Sequence, residues 1–135
     1  MLERYSSIQW NVSRNSRISY YWLRWQMDPE QVHLAVEHEN LVLLAELLDN
    51  GADINAEVDG LSLLQHAIDV EVDGHVQTGE PLHVDTTVLL LAKGADAAVR
   101  SNRGHGSSAA EYASFRGHWL AVCVIDAWLR RPPIS

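Results

Sequence analysis

The chain has little cysteine, little positive charge and no long apolar runs. Of its 135 residues, one is cysteine, ten are Lys or Arg and eighteen are Asp or Glu, so the formal net charge is −8. A single cysteine excludes an internal disulfide, and we expect Cys123, which lies in the apolar helical run AVCVI, to be a small core side chain. No apolar run reaches the about 18 residues that a membrane-spanning helix needs. Without a secretion leader, the expected location is the cytoplasm.

Catalytic motifs are also missing. The glycine-containing stretch at residues 104–108 lacks the Gly-x-Ser-x-Gly pattern of a nucleophile elbow and the Gly-Lys-Ser/Thr ending of a phosphate-binding loop. Cys123 has no base in the sequence that could activate it. Because no nucleophile and base can be assembled, we predict that the chain is not an enzyme and uses no cofactor.

What the sequence does contain is a repeated phrase that predicts a helix followed by a turn. Residues 43–55 read LLAELLDNGADIN, with leucines at helical spacing and then Asn50-Gly51. Glycine ends a helix readily because it tolerates the left-handed conformation. A similar phrase, LLLAKGAD, returns at residues 89–96. A recurring helix-and-turn unit predicts an all-α repeat protein whose neighbouring units bury a shared core.

These phrases resemble the ankyrin repeat. In the first copy, His33 stands where the family's TPLH histidine stands, and Gly51, Ala52, Asp53 and Asn55 match the closing GADxN. The second copy opens at residues 62–65 and closes at residues 94–96, and the third opens at residues 107–113 and contains the family's Gly-His turn at residues 117–118. The resemblance implies an all-α, ankyrin-like solenoid of about three helix-turn-helix repeats, with boundaries near 29–58, 59–98 and 99–131.

The repeat spacing indicates an insertion in the second copy. His33 and Gln65 are 32 residues apart, close to the family period of about 33. Gly51 and Gly94, however, are 43 residues apart, so about 11 extra residues fall between the two helices of this copy. We predict a long inter-helix loop at about residues 71–81. Insertions of this kind lie on one face of a repeat protein, which is often the binding face.

The candidate partner-binding residues lie in this insertion and in or near the turns. They are Asp69, Glu71, Asp73, His75, Gln77, Glu80, Glu37, Glu39 and Asp59.

The same insertion also resembles an EF-hand calcium loop. Asp69, Glu71, Asp73 and Glu80 occupy positions 1, 3, 5 and 12 of the stretch DVEVDGHVQTGE, and Gly74 occupies position 6. Three features argue against calcium: Glu71 stands where a shorter Asp or Asn is usual, Pro81 follows at once, and no second loop is present. We therefore predict no metal site and keep the calcium loop as an alternative.

The first 27 residues differ from the domain that we assign to residues 28–135. Residues 1–26 carry a net charge of +3 and the remainder carries −11. Ile18, Tyr21, Trp22 and Trp25 follow helical spacing, so one short helix could cover the flank of the first repeat. Alternatively, the segment is a basic and aromatic extension, and the natural start is Met27. Asp28-Pro29 then predicts the start of the first helix of the domain.

The charge distribution indicates a partner of opposite sign. A domain with this much negative charge repels phosphate backbones, so we expect no nucleic acid, and it attracts a basic protein. Most ankyrin-repeat proteins bind other proteins, and small acidic bacterial members resemble immunity proteins that neutralise a basic toxin. The predicted function is therefore a non-catalytic protein-binding module, and the family resemblance implies an acidic immunity or inhibitor protein that binds a basic partner. The alternatives are a calcium-responsive regulator that uses residues 69–80 and a structural scaffold subunit; the oligomeric state stays open.

Overall fold

The computed structural model describes residues 28–133, so the predicted extension and its short helix lie outside the described residues. This part of the chain contains six α-helices and little strand, which confirms an all-α fold. The helices are α1 (Pro29–Glu37), α2 (Leu41–Asp49), α3 (Leu63–Thr78), α4 (Asp85–Ala92), α5 (Ala109–Arg116) and α6 (Trp119–Arg130). A two-stranded hairpin, β1 (Glu57–Val58) and β2 (Leu61–Ser62), and a 3₁₀ turn (Asn102–Gly104) complete the described elements. None of these helices has the length and apolar character needed to cross a membrane.

The helices pack in two rows. Helices α1, α3 and α5 lie side by side, and α4 contacts both α2 and α6 in a second row. Each helix of the first row also packs against the next helix in the chain: α1 on α2, α3 on α4, and α5 on α6. The core between the rows is apolar and continuous, and its fully buried side chains include Val36, Leu44, Ile68, Leu90 and Ile125.

Local sequence sets where the first-row helices begin. The Asp28 carboxylate accepts a hydrogen bond from the Glu30 backbone N–H at 3.0 Å and caps α1. Helices α3 and α5 begin with reciprocal capping boxes, formed by Ser62 with Gln65 and by Ser108 with Glu111. A side-chain cap of this kind stabilises a helix by about 1 kcal/mol. Because each cap joins residues at most three positions apart, the local sequence specifies where α1, α3 and α5 begin.

The hairpin joins the first helix pair to the second. Its turn residues, Asp59 and Gly60, both have positive φ (54° and 79°), as a two-residue type I′ turn requires. The His33 ring donates a hydrogen bond from Nε2 to the Ala56 carbonyl at 2.8 Å and ties this segment to α1. One helix pair later, Gln65 Nε2 donates to the Ser107 carbonyl at 2.8 Å, so the residue aligned with His33 also bonds to the segment that leads to the next helix pair.

The predicted loop at residues 71–81 is wrong, because most of the insertion is helical. Helix α3 continues to Thr78, and only residues 79–84 connect it to α4. At 16 residues it is seven residues longer than α1, which has 9, and this excess corresponds to about 10 Å of helix. The sequence obscured the helix because Gly74 interrupts it and because a glutamate, Glu71, occupies one of its buried positions.

The expected core position of Cys123 is also wrong. The cysteine is exposed, whereas its helix neighbours Ala121 and Ile125 are fully buried. Helix α6 packs against α4 and α5 along one face, and Cys123 lies on the opposite face. An apolar run in a helix at the end of a row therefore does not imply burial of every member.

Two glycine substitutions test the helical assignment of the insertion. Gly74 is inside α3, and an added Cβ would meet only the Glu39 carboxylate, at 4.0 Å. We expect Gly74→Ala to raise the free energy of unfolding by about 0.5–1 kcal/mol, because alanine loses less backbone entropy in a helix. The matched control is Gly79→Ala at the helix end, where φ is 75°, and it should lower stability by about 1 kcal/mol. Urea unfolding measures both, and destabilisation by Gly74→Ala would contradict a helix at this position.

Candidate functional site

The candidate residues fall in two places rather than on one surface. Glu37 ends α1, and its carboxylate contacts His66 in the first half of α3, whereas Glu39 follows α1 and its carboxylate lies near Gly74 in the second half of α3. Asp59 lies in the hairpin turn just before α3, whereas Glu80 follows its C-terminus. The 16 residues of α3 separate these two by about 24 Å. Asp59 therefore lies far from the exposed end of the insertion.

Glu71 is the most buried of the candidates, with 0% of its surface exposed. Its Oε2 accepts hydrogen bonds from the backbone N–H groups of Thr86 and Thr87, both at 3.1 Å. Its Oε1 accepts from the Thr87 hydroxyl at 2.7 Å and from His118 Nε2 at 2.9 Å. Four donors that converge on two oxygens are the pattern of an ionised carboxylate, which only accepts. The predicted role of Glu71 as a surface contact is wrong, because it cannot reach a partner.

This carboxylate replaces a missing helix cap. The second-row helices α2 and α6 begin at Asn40 and His118, whose side chains accept from the Leu43 and Ala121 N–H groups, both at 3.1 Å. The residue at the equivalent position of α4 is Val84, which has no side-chain acceptor and makes no cap hydrogen bond. The Glu71 carboxylate, on α3, instead accepts hydrogen bonds from the Thr86 and Thr87 N–H groups at the start of α4. Its negative charge also interacts favourably with the positive end of the helix dipole.

His118 connects this cap to the last helix pair. Because its Nδ1 accepts from Ala121, its proton is on Nε2, which donates to Glu71 and, at 3.1 Å, to the His83 carbonyl. The imidazole is fully buried. One residue therefore caps α6 and also fixes the group that caps α4. The Gly-His resemblance pointed to His118 as structural, but nothing in the sequence links it to Glu71.

The Asp69 and Asp73 carboxylates share one ion-pair partner within the fold. Arg116 on α5 bonds to both, to Asp69 through Nη1 and to Asp73 through Nη2, the latter at 2.9 Å. The Tyr112 hydroxyl donates to Asp69 at 2.8 Å. Partial burial, followed by the nearby Asp73 carboxylate, raises the pKa of Tyr112, which keeps this hydroxyl protonated as a donor. These two aspartates hold α3 to α5, and Arg116 offsets one of their two negative charges.

The EF-hand alternative is contradicted by this geometry. Asp69, Glu71 and Asp73 lie on a helix, not in a loop that folds around an ion, and the Glu71 oxygens are already occupied by donors. Between residues 28 and 133, no three or more His, Cys, Asp or Glu side chains are placed to hold a metal ion.

The exposed part of the insertion is the end of α3 and the turn after it, residues 75–80, which we name the α3 tip. It is ordered by local hydrogen bonds: the Thr78 hydroxyl donates to the Gly74 carbonyl at 2.7 Å, and the His75 ring bonds to the Glu80 carbonyl. Val76 presents an apolar side chain to solvent with 71% of its surface exposed.

Glu39 lies beside the base of the α3 tip, next to Gly74, whereas Glu37 lies beside the first half of α3. Both are exposed, and each lies beside a histidine: Glu37 is 2.6 Å from His66 Nε2, and Glu39 is 3.4 Å from His83 Nε2. The site that the fold assembles is therefore a projecting apolar tip with an acidic flank.

Comparison with protein-family models finds no match for this chain, and comparison with curated proteins finds none either. The ankyrin assignment therefore stays a prediction.

The Glu71 cap can be tested by a substitution that preserves shape. In Glu71→Gln one carboxylate oxygen becomes an NH₂ group, which must face either two backbone donors or the Thr87 and His118 donors. We expect the free energy of unfolding to fall by about 3 kcal/mol, because buried donors lose a charged acceptor. Chemical denaturation gives the value. The control Glu80→Gln on the exposed tip should change stability by less than about 0.5 kcal/mol, and an equally small effect at Glu71 would contradict the capping role.

Proposed function

We propose that the chain is an ankyrin-like solenoid that acts as a non-catalytic protein-binding module for a basic partner. The observation that carries this proposal is the α3 tip, a locally hydrogen-bonded segment that exposes Val76 and has the exposed Glu39 beside its base.

Recurring contacts support the repeat assignment. Aligned residues of the first two units, His33 and Gln65, each bond to the carbonyl of the following connecting segment. The connecting segments also contact one another, since the Asp96 N–H donates to the Asn55 side chain at 3.0 Å. Similar units joined at similar positions are what a stacked repeat protein requires.

The form and charge of the α3 tip support its use as a binding surface. A helical projection is already ordered, so a partner that docks on it loses little conformational entropy there. An apolar side chain with charged neighbours matches the usual anatomy of an interface, in which an apolar centre is surrounded by a polar rim. Glu39 would pair with Lys or Arg of the partner, and the charge of −11 on residues 27–135 would speed its approach. An immunity or inhibitor role against a basic toxin is the form of this function that the family resemblance favours.

A paired substitution tests where the partner binds. Val76 is exposed on α3, and Val88 is exposed at 44% on α4 in the second row, which makes it a matched control. A photo-crosslinking amino acid at position 76 should trap the partner, whereas one at position 88 should not. Against the trapped partner, Val76→Arg should weaken binding at least about tenfold, or ~1.4 kcal/mol, because it replaces an apolar contact with charge that repels a basic surface. Val88→Arg should have no effect.

Binding measured by surface plasmon resonance at two ionic strengths completes this test. Added salt should slow association, since exposed charges are screened. Equal loss of binding in both variants, or crosslinking from position 88 alone, would place the interface on the second row of helices and refute the proposed site.

A further inference from the structure

A chain of three hydrogen bonds joins α1 to α3 at the boundary between the first two helix pairs. His33 Nε2 is 2.8 Å from the Ala56 carbonyl oxygen, His33 Nδ1 is 3.0 Å from His66 Nδ1, and His66 Nε2 is 2.6 Å from Glu37 Oε2. The two rings are 23° from parallel and their centroids are 5.2 Å apart. With so short a distance between the Nδ1 atoms, this separation means that the rings meet edge to edge with the two nitrogens pointing at each other.

The protons in this chain can be counted. A carbonyl and a carboxylate only accept, so both Nε2 atoms must carry a proton. The bond between the two Nδ1 atoms needs a third, whereas two neutral imidazoles carry only two. We infer that His33 and His66 hold one proton more than two neutral rings, and that this proton forms a pH-dependent clasp between the first two helix pairs.

The surroundings place the charge on His66. His33 is only 5% exposed, and burial is the main reason that its pKa is lowered from 6.5; the neighbouring His66 lowers it further, against the raising effects of the Ala56 hydrogen bond and of Asp59. The charged groups that face the pair are Glu37, at the end of α1, and Asp59, in the hairpin turn. Since His66 touches the Glu37 carboxylate directly, the charge is on His66, and neutral His33 accepts from it through Nδ1.

The hydrogen bond between the two Nδ1 atoms should be strongest at an intermediate pH and weaker at both lower and higher pH. The folded pKa of His33 lies below 6.5, so its contribution to stability is complete above 6.5 and is lost as the pH falls through the lowered value. Protonation of His33 also points two N–H groups at each other. Without the third proton, two nitrogen lone pairs would face each other at 3.0 Å. Packing of α1 against α3 would thus respond to pH in both directions.

Nuclear magnetic resonance of the intact chain with ¹⁵N-labelled histidine tests the proton count directly. At intermediate pH we expect one Nδ1 to bear a proton, the other to carry a lone pair, and a scalar coupling to connect the two across the hydrogen bond. The coupling should vanish on acidification and on alkalinisation. Two unprotonated Nδ1 atoms at every pH would overturn the inference, and this readout needs no variant to fold.

A double-mutant cycle tests the energetic consequence. His33→Gln, His66→Gln and the double variant are unfolded by urea from about pH 5 to about pH 9, the range in which histidine titrates. Because other titrating groups cancel in the cycle, the coupling isolates this pair. At intermediate pH this coupling should correspond to a change of at least about threefold in the unfolding equilibrium constant. The coupling should decline toward both ends of the pH range. His105→Gln at an exposed site is the control and should leave the profile unchanged, whereas a coupling independent of pH would refute the clasp.

Discussion

The middle of this structure depends on one buried carboxylate. Glu71 is removed from water, and an uncompensated charge there would be strongly destabilising. Its hydrogen bonds come from the start of α4 and from His118, so the compensation requires α3, α4 and α6 to be in place together. The second helix of the central pair, α4, has no local side-chain cap, because Val84 stands at the position where α2 and α6 have Asn40 and His118. The lengthened α3 supplies the missing helix cap through Glu71, because the segment between α3 and α4 has no side chain that caps α4.

The same lengthening produces the candidate binding surface. The first part of the insertion is used by the fold, through Glu71 in the core and through the two aspartates that bond to Arg116. What continues beyond them is the α3 tip, which is exposed along residues 75–80. The acidic character of the insertion therefore has two origins. Its buried and paired carboxylates hold helices together, whereas Glu80, like Glu37 and Glu39 outside the insertion, remains exposed at the surface.

The sequence was most informative where the physical cause is local. Helix starts at Asp28, Ser62 and Ser108 follow from side chains that bond to backbone within three residues, and each was visible as a capping pattern or as the opening of a repeat. It was least informative within the insertion. Alternating acidic residues and Gly74 suggested an ion-binding loop, whereas the structure continues the helix through them. The pattern misled because a carboxylate at a buried helical position is acceptable only if distant donors satisfy it.

The sequence by itself determined the all-α class, the helix starts and the place where the repeat spacing is interrupted, since these follow from backbone preferences and from apolar periodicity over a few residues. Only the tertiary structure decided what the acidic residues do. Glu71 and His118 are separated by 47 positions, as are Asp69 and Arg116, and His33 and His66 by 33. The packing of the helices decides whether such side chains meet. It therefore also decides whether each charged side chain is buried, paired or exposed.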